Sequence, residues 1–393
     1  VLGACASNSG PVARVDTDAV ARYRSAGYAV PTVPGIEAHR IRGPLSEAPW
    51  TISLTRPADH AIRPLIVYLP ALGQSDDAPN HWVVAWAQAG YAVISIQALE
   101  DDANVWATSE ARSGDFERIA RSRYADELMS DRIARLAVLL NQVKVRSLRA
   151  EPGLDGLDWS HLALAGADLG AYTVQSVIAS SPQTLAAIGW PLAPVAYIVI
   201  SPYAVRSHPA PDPTPHAPVL MISSRDDVDA YGVVTDAAVR RLAFDRLGAG
   251  KDYFLEIGTA THRWLGGQVQ MQGSPEATPR RPSMMADESP ERRARHGVNP
   301  GQASDAMAPG GDDEELTPEK RAKLTASREE LEKARSRALT HAALSEVSFE
   351  QVSIAFLDTT LRALPAAEAW LANGASGWLQ EGDRLKLREG RNP

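Results

Sequence analysis

Gly166-Ala167-Asp168-Leu169-Gly170 is the stretch whose residue types and spacing bear most directly on chemistry. An apolar run from Leu162 to Ala165 feeds a glycine-flanked turn, which opens into a helix near Ala171. A G-x-S-x-G turn uses the same strand–turn–helix context, its glycines allowing a bend that lifts one side chain clear of a sheet. Here Asp168 stands at the serine position, and the chain contains no G-x-S-x-G. Two later residues suit roles beside it. The run Val219–Ile222 leads into Ser223-Ser224-Arg225-Asp226-Asp227, where Asp226 is expected to supply an acid. A short strand, Tyr253–Ile257, leads into a loop carrying His262, the expected base. Nucleophile, acid and base then follow in chain order, each just past a strand.

An aspartate changes what such a turn can do. Attack on an ester carbonyl would give a mixed anhydride, a poor intermediate. Displacement at an sp³ carbon would instead give an alkyl ester of Asp168, which water activated by His262 could hydrolyse. A second possibility is silence: two carboxylates would hold His262 as an imidazolium, which cannot act as a base. A third is that Asp168 occupies a position meant for serine, so that serine, Asp226 and His262 would make an ester-hydrolysing triad.

The elements that must position these residues are legible as alternating strands and helices. Trp50–Thr55 alternates and reads as an antiparallel edge strand. Pro64–Leu69, Tyr91–Ile96, Leu162–Ala165, Ala196–Ile200 and Val219–Ile222 are nearly continuous apolar runs, as buried parallel strands are. Helical spacing marks Trp82–Ala87, Asp131–Val143 and Val233–Leu247. The pattern predicts an α/β fold with a mostly parallel, doubly wound sheet and helices on both faces.

These pieces together resemble the α/β-hydrolase superfamily, and within it the predicted dienelactone hydrolases and bacterial relatives of platelet-activating-factor acetylhydrolase. The matching residues are Pro70-Ala71-Leu72-Gly73, Ala89-Gly90-Tyr91-Ala92-Val93, the Asp168 turn with Ala171-Tyr172-Thr173, Asp226, His262, Ala355–Asp358 and Ala369–Leu371. The resemblance implies an oxyanion hole from the backbone N–H groups of Leu72 and Leu169. The family's H-G-L-G turn is here Pro70-Ala71-Leu72-Gly73, and losing its first glycine restricts that turn. Haloalkane dehalogenases and epoxide hydrolases of the same superfamily use an aspartate nucleophile. They also need donors for the leaving group; Ala167 and Leu169 cannot serve, leaving Trp106, Tyr203 or Trp264 as candidates.

Composition limits the remaining choices. The 393 residues carry a net charge of −8, which argues against a nucleic-acid partner. No Cys/His cluster suggests a metal site, and no cofactor is expected. The single cysteine, Cys5, sits in Val1-Leu2-Gly3-Ala4-Cys5, which resembles the end of a bacterial lipobox. That implies a lipid-anchored envelope protein, periplasmic or at the outer membrane, tethered through residues 1–15. The plainer reading is an incidental cysteine at a frayed terminus. A hydrolase domain is expected over 16–267, then a low-complexity insertion over 268–340 with a charged helix at about 317–338. The insertion reads as a tolerated surface excursion or as an arm for a protein partner. Residues 341–393 would return as a C-terminal helix plus a charged tail. An active site of this kind would take a small-molecule or lipid-like ester substrate.

Overall fold

The computed structural model describes residues 13–41, 50–75, 80–204, 216–229, 231–247, 250–258, 260–268 and 318–388. Cys5 and most of the expected insertion lie outside them. The strands are β1 (Ile36–Arg40), β2 (Trp50–Pro57), β3 (Arg63–Leu69), β4 (Ala92–Ala98) and β5 (Leu157–Ala167). They continue as β6 (Ala196–Ile200), β7 (Val219–Ser224), β8 (Asp252–Ile257) and β9 (Arg384–Arg388). They form one sheet in the order β1-β2-β4-β3-β5-β6-β7-β8-β9. Pairings from β4 through β8 are parallel, while β1, β2 and β9 join antiparallel at the two ends. The fold class is therefore α/β.

The apolar runs are explained by burial on both faces. Leu65, Val67 and Leu69 of β3 enter one core cluster, whereas Ile66 and Tyr68 enter the other. The helices are α1 (Thr17–Ala26), α2 (His81–Gln88), α3 (Ser109–Arg112), α4 (Phe116–Arg123), α5 (Asp126–Leu148) and α6 (Leu169–Ala179). After them come α7 (Pro182–Ala187), α8 (Ala238–Asp245), α9 (His262–Leu265), α10 (Pro318–Leu361), α11 (Pro365–Asn373) and α12 (Ala375–Trp378). The core contacts of α5 come from Ile133, Leu136, Leu140 and Val143, spaced three and four apart. Asn80 caps α2 by accepting from the Trp82 and Val83 amides.

Four expectations need correction. Trp50–Thr55 is not at the edge, because β1 pairs outside it. The helix expected over Val233–Leu247 is shorter, Ala238–Asp245. The charged helix and the C-terminal helix are one 44-residue element, α10. No glycine or interior proline interrupts Pro318–Leu361, so the change from charged to apolar sequence alters what the helix touches and not its continuity. The charged tail contains β9, in which Leu385 and Leu387 alternate with basic residues and pack on the core while pairing with β8.

The chain divides into two compact units, Thr17–Gly273 with His341–Pro393, and Val1–Asp16 with Ser274–Thr340. In the smaller one, the amides of Ala13 and Arg14 donate to Glu332 and Ser336 of α10 at 2.9 and 3.1 Å. In the larger one, α10 buries Phe349, Val352, Phe356 and Leu357 against the sheet. Buried Asp358 accepts the hydroxyls of Tyr28 and Tyr91 and pairs with Arg362 at 2.7 Å. No helix among the described residues is long and apolar enough to cross a membrane.

Candidate active site

Asp168 sits between β5 and α6 with φ 54° and ψ −112°, a left-handed conformation costly for a residue with a side chain. Small neighbours make the bend possible. A Cβ on Gly170 would lie 2.0 Å from the Leu69 carbonyl oxygen, and one on Gly166 would lie 2.5 Å from the Gly170 backbone. Only glycine permits that approach of β3, β5 and α6. The Asp168 amide donates to the Ile200 carbonyl at 3.0 Å, and its own carbonyl accepts from Tyr172 at 2.9 Å. The turn is thus tied to β6 and opens α6 directly.

The carboxylate is almost enclosed, at 7% exposure, and its two oxygens face different groups. Oδ2 accepts the Leu72 amide at 3.3 Å. Oδ1 accepts the Tyr124 hydroxyl and lies 3.4 Å from His262 Nε2. So the Leu72 N–H points at the Asp168 carboxylate, despite Pro70 and Ala71 before it. No hydrogen bond places the Leu169 amide in that role.

His262 opens α9, and its Nδ1 lies 2.7 Å from Asp227 Oδ1. That contact assigns the Nδ1 proton to Asp227 and aims Nε2 at Asp168. The carboxylate that contacts His262 Nδ1 is therefore Asp227 and not the expected Asp226. The chain turns at Arg225-Asp226 immediately after β7, which leaves Asp226 exposed and carries Asp227 inward. Asp227 is fully buried; Ser223 Oγ donates to its Oδ2 at 2.7 Å.

Arg240 of α8 completes the cluster. It is 1% exposed, its Nε lies 3.4 Å from Asp227 Oδ2, and its Nη1 donates to the carbonyls of Ser201 and Pro202 at 2.9 and 3.1 Å. Arg240 lies on α8 and Tyr124 just past the end of α4; both are far from the Asp168 turn in the chain and belong to no local motif, so nothing in the sequence marks them. Tyr124 contacts the rings of Tyr203 and Tyr172 at 4.7 and 5.7 Å, and Trp106 stacks on Tyr231 at 4.2 Å. Of the leaving-group donors expected from sequence, none contacts Asp168 through a hydrogen bond; Tyr124 does. Trp264 instead packs edge-on against Trp82 at 5.0 Å.

Electrostatics follow from this enclosure. Burial alone would raise the Asp168 carboxyl, but the charge and hydrogen bond of His262, with Arg240 and Tyr124, hold it well below the usual carboxylate range. Burial alone would lower His262, but Asp168 first and Asp227 second push it up to about 10. Asp227 is likewise held low against its burial by Arg240 and His262. At neutral pH the site is a carboxylate–imidazolium–carboxylate array with an arginine behind it.

No family model matches the chain, and no curated protein matches it. Among the described residues, no group of three or more His, Cys, Asp or Glu side chains is placed to hold a metal ion.

Proposed function

We propose that the protein is an α/β-hydrolase-like enzyme in which Asp168 opens an epoxide and passes through an alkyl ester. The observation that carries this reading is the division of labour on the carboxylate: Oδ2 on the Leu72 N–H, Oδ1 beside the Tyr124 hydroxyl and His262. Support also comes from the left-handed bend at Asp168 and the order Asp168, Asp227, His262 along one mostly parallel sheet.

The resting charges suit this substrate. Oδ1 attacks an epoxide carbon as its C–O bond breaks, and the freed oxygen takes the His262 proton, directly or relayed by the Tyr124 hydroxyl, which gives its own proton and is re-protonated by His262. Asp168 is then a neutral ester. Its charge was the largest influence raising His262, so esterification lowers the imidazole pKa when a base is needed. Neutral His262 takes a proton from water, and the hydroxide adds to the Asp168 carbonyl carbon. Negative charge develops on Oδ2, towards the Leu72 N–H. Collapse breaks the bond from the carbonyl carbon to Oδ1, which takes the proton from His262 and leaves with the substrate as the second hydroxyl of a diol. The remaining proton returns to His262, restoring carboxylate and imidazolium. A halide leaving group would take no proton and would leave His262 charged, so the resting protonation favours an oxygen leaving group.

A second reading, a silent site in a binding or scaffold protein, is favoured by one observation. Asp168 is nearly enclosed and its oxygens already have partners. Turnover separates the two. Styrene oxide and an aliphatic epoxide should be converted to diols by the wild type, with Asp168→Asn and His262→Ala reduced at least about 10³-fold. Equal rates in all three proteins would favour the silent site. Lipid anchoring at Cys5, an envelope location and a protein partner for residues 268–340 remain part of the proposal, resting on sequence alone.

A further inference from the structure

We propose that Gln97 is a positioning residue that aims the Leu72 N–H at Asp168 and replaces the restraint a His-Gly turn would give. The turn after β3 is Pro70-Ala71-Leu72-Gly73-Gln74; its one internal hydrogen bond, from the Gln74 amide to the Ala71 carbonyl at 3.1 Å, closes the turn without tying it to the rest of the sheet. Gln97 lies in β4, is 3% exposed, and extends its amide nitrogen into this turn. Nε2 donates to the carbonyls of Ala71 at 3.0 Å and Gln74 at 2.9 Å, and approaches that of Asp101 at 3.3 Å. Two protons thus serve three carbonyls, which bracket Leu72 on both sides.

Asp101 closes the frame. Its carbonyl accepts the Gly73 amide at 2.8 Å, and its fully buried side chain pairs with Arg132 of α5. Gly73 has φ +81°, and a Cβ there would meet the Trp106 indole nitrogen at 2.0 Å. Backbone groups on either side of the Leu72 N–H are therefore held by one buried amide and one buried ion pair. Loss of the Gln97 amide would leave the Ala71 and Asp101 carbonyls one donor each and deprive the Gln74 carbonyl of the Gln97 donor, a cost that loosens the turn on the side facing β4.

The direct test is amide hydrogen exchange at Leu72, Gly73 and Gln74 in Gln97→Met, a variant of similar length that cannot donate. Exchange at these three amides should quicken at least about tenfold, while the amides of β5 and β6 keep wild-type protection. Wild-type exchange at all three would overturn the proposal. If Gln97→Met loses the fold by circular dichroism, Gln97→Leu carries the same test, since its side chain likewise donates to none of the three carbonyls. The proposal's catalytic arm rests on the epoxide-opening reading: kcat for styrene oxide should fall about 10²-fold, the usual effect of losing one oxyanion donor, with KM little changed. Quickened exchange in a protein without turnover would keep Gln97 as a positioning residue and remove the enzymatic reading. Wild-type kcat alongside quickened exchange would overturn the link to catalysis.

Discussion

At the scale of single residues, the protein's unusual feature is an imidazole held between two carboxylates. His262 is raised to about 10 from an unfolded value near 6.5, because Asp168 and Asp227 outweigh its burial. A raised base contributes stability that is complete below about pH 6.5 and lost as pH climbs through 10. Asp168 contributes in the opposite sense, its share disappearing as pH falls below the unfolded carboxyl range. An NMR titration of the His262 ring should show its transition near pH 10, and Asp168→Asn should move it downwards. A transition near 6.5 in the wild type would contradict the ion array. Since kcat/KM reports the free enzyme, it should fall above about pH 10 as His262 loses the proton that the opening oxygen needs. Asp168 and His262 were legible in the sequence because each stands in a local pattern, a glycine-flanked turn and a loop after a short strand. The carboxylate beside His262 was displaced by one position, since spacing alone does not show how a two-residue turn rotates the chain. Tyr124 and Arg240 were not legible, being joined to the site only by tertiary packing.

At the scale of elements, the site depends on how closely β3, β5 and α6 approach. Gly170 touches the Leu69 carbonyl so nearly that a methyl group has no room. Gly170→Ala should cost about 3 kcal/mol or more, the upper end for overpacked sites, read as a lowered urea midpoint. An unchanged midpoint would mean that the crossing is looser than the structure has it. The core strands were legible because burial on both faces writes itself as continuous apolar sequence, as in Leu65–Leu69 and Ala196–Ile200. β9 was hidden because its three basic residues mask the two-residue period of Leu385 and Leu387. The full length of α10 was hidden for a related reason: composition changes along it while its backbone has no cause to stop.

At the scale of the molecule, the sheet brings together residues far apart in sequence: Leu72 after β3, Asp168 after β5, Asp227 after β7 and His262 after β8. Parallel strands place all four turns at one edge, which is why the order of motifs could be read before their contacts were known. What this convergence is for depends on whether Asp168 becomes covalently bonded during turnover. A single turnover of styrene oxide by excess protein in ¹⁸O-labelled water decides this. An Asp168 ester predicts an unlabelled first-formed diol and heavy oxygen in the peptide containing Asp168, because water attacks the ester carbonyl and the original carboxylate oxygen leaves with product. Label in the first-formed diol with none in that peptide, or no diol at all, would contradict it.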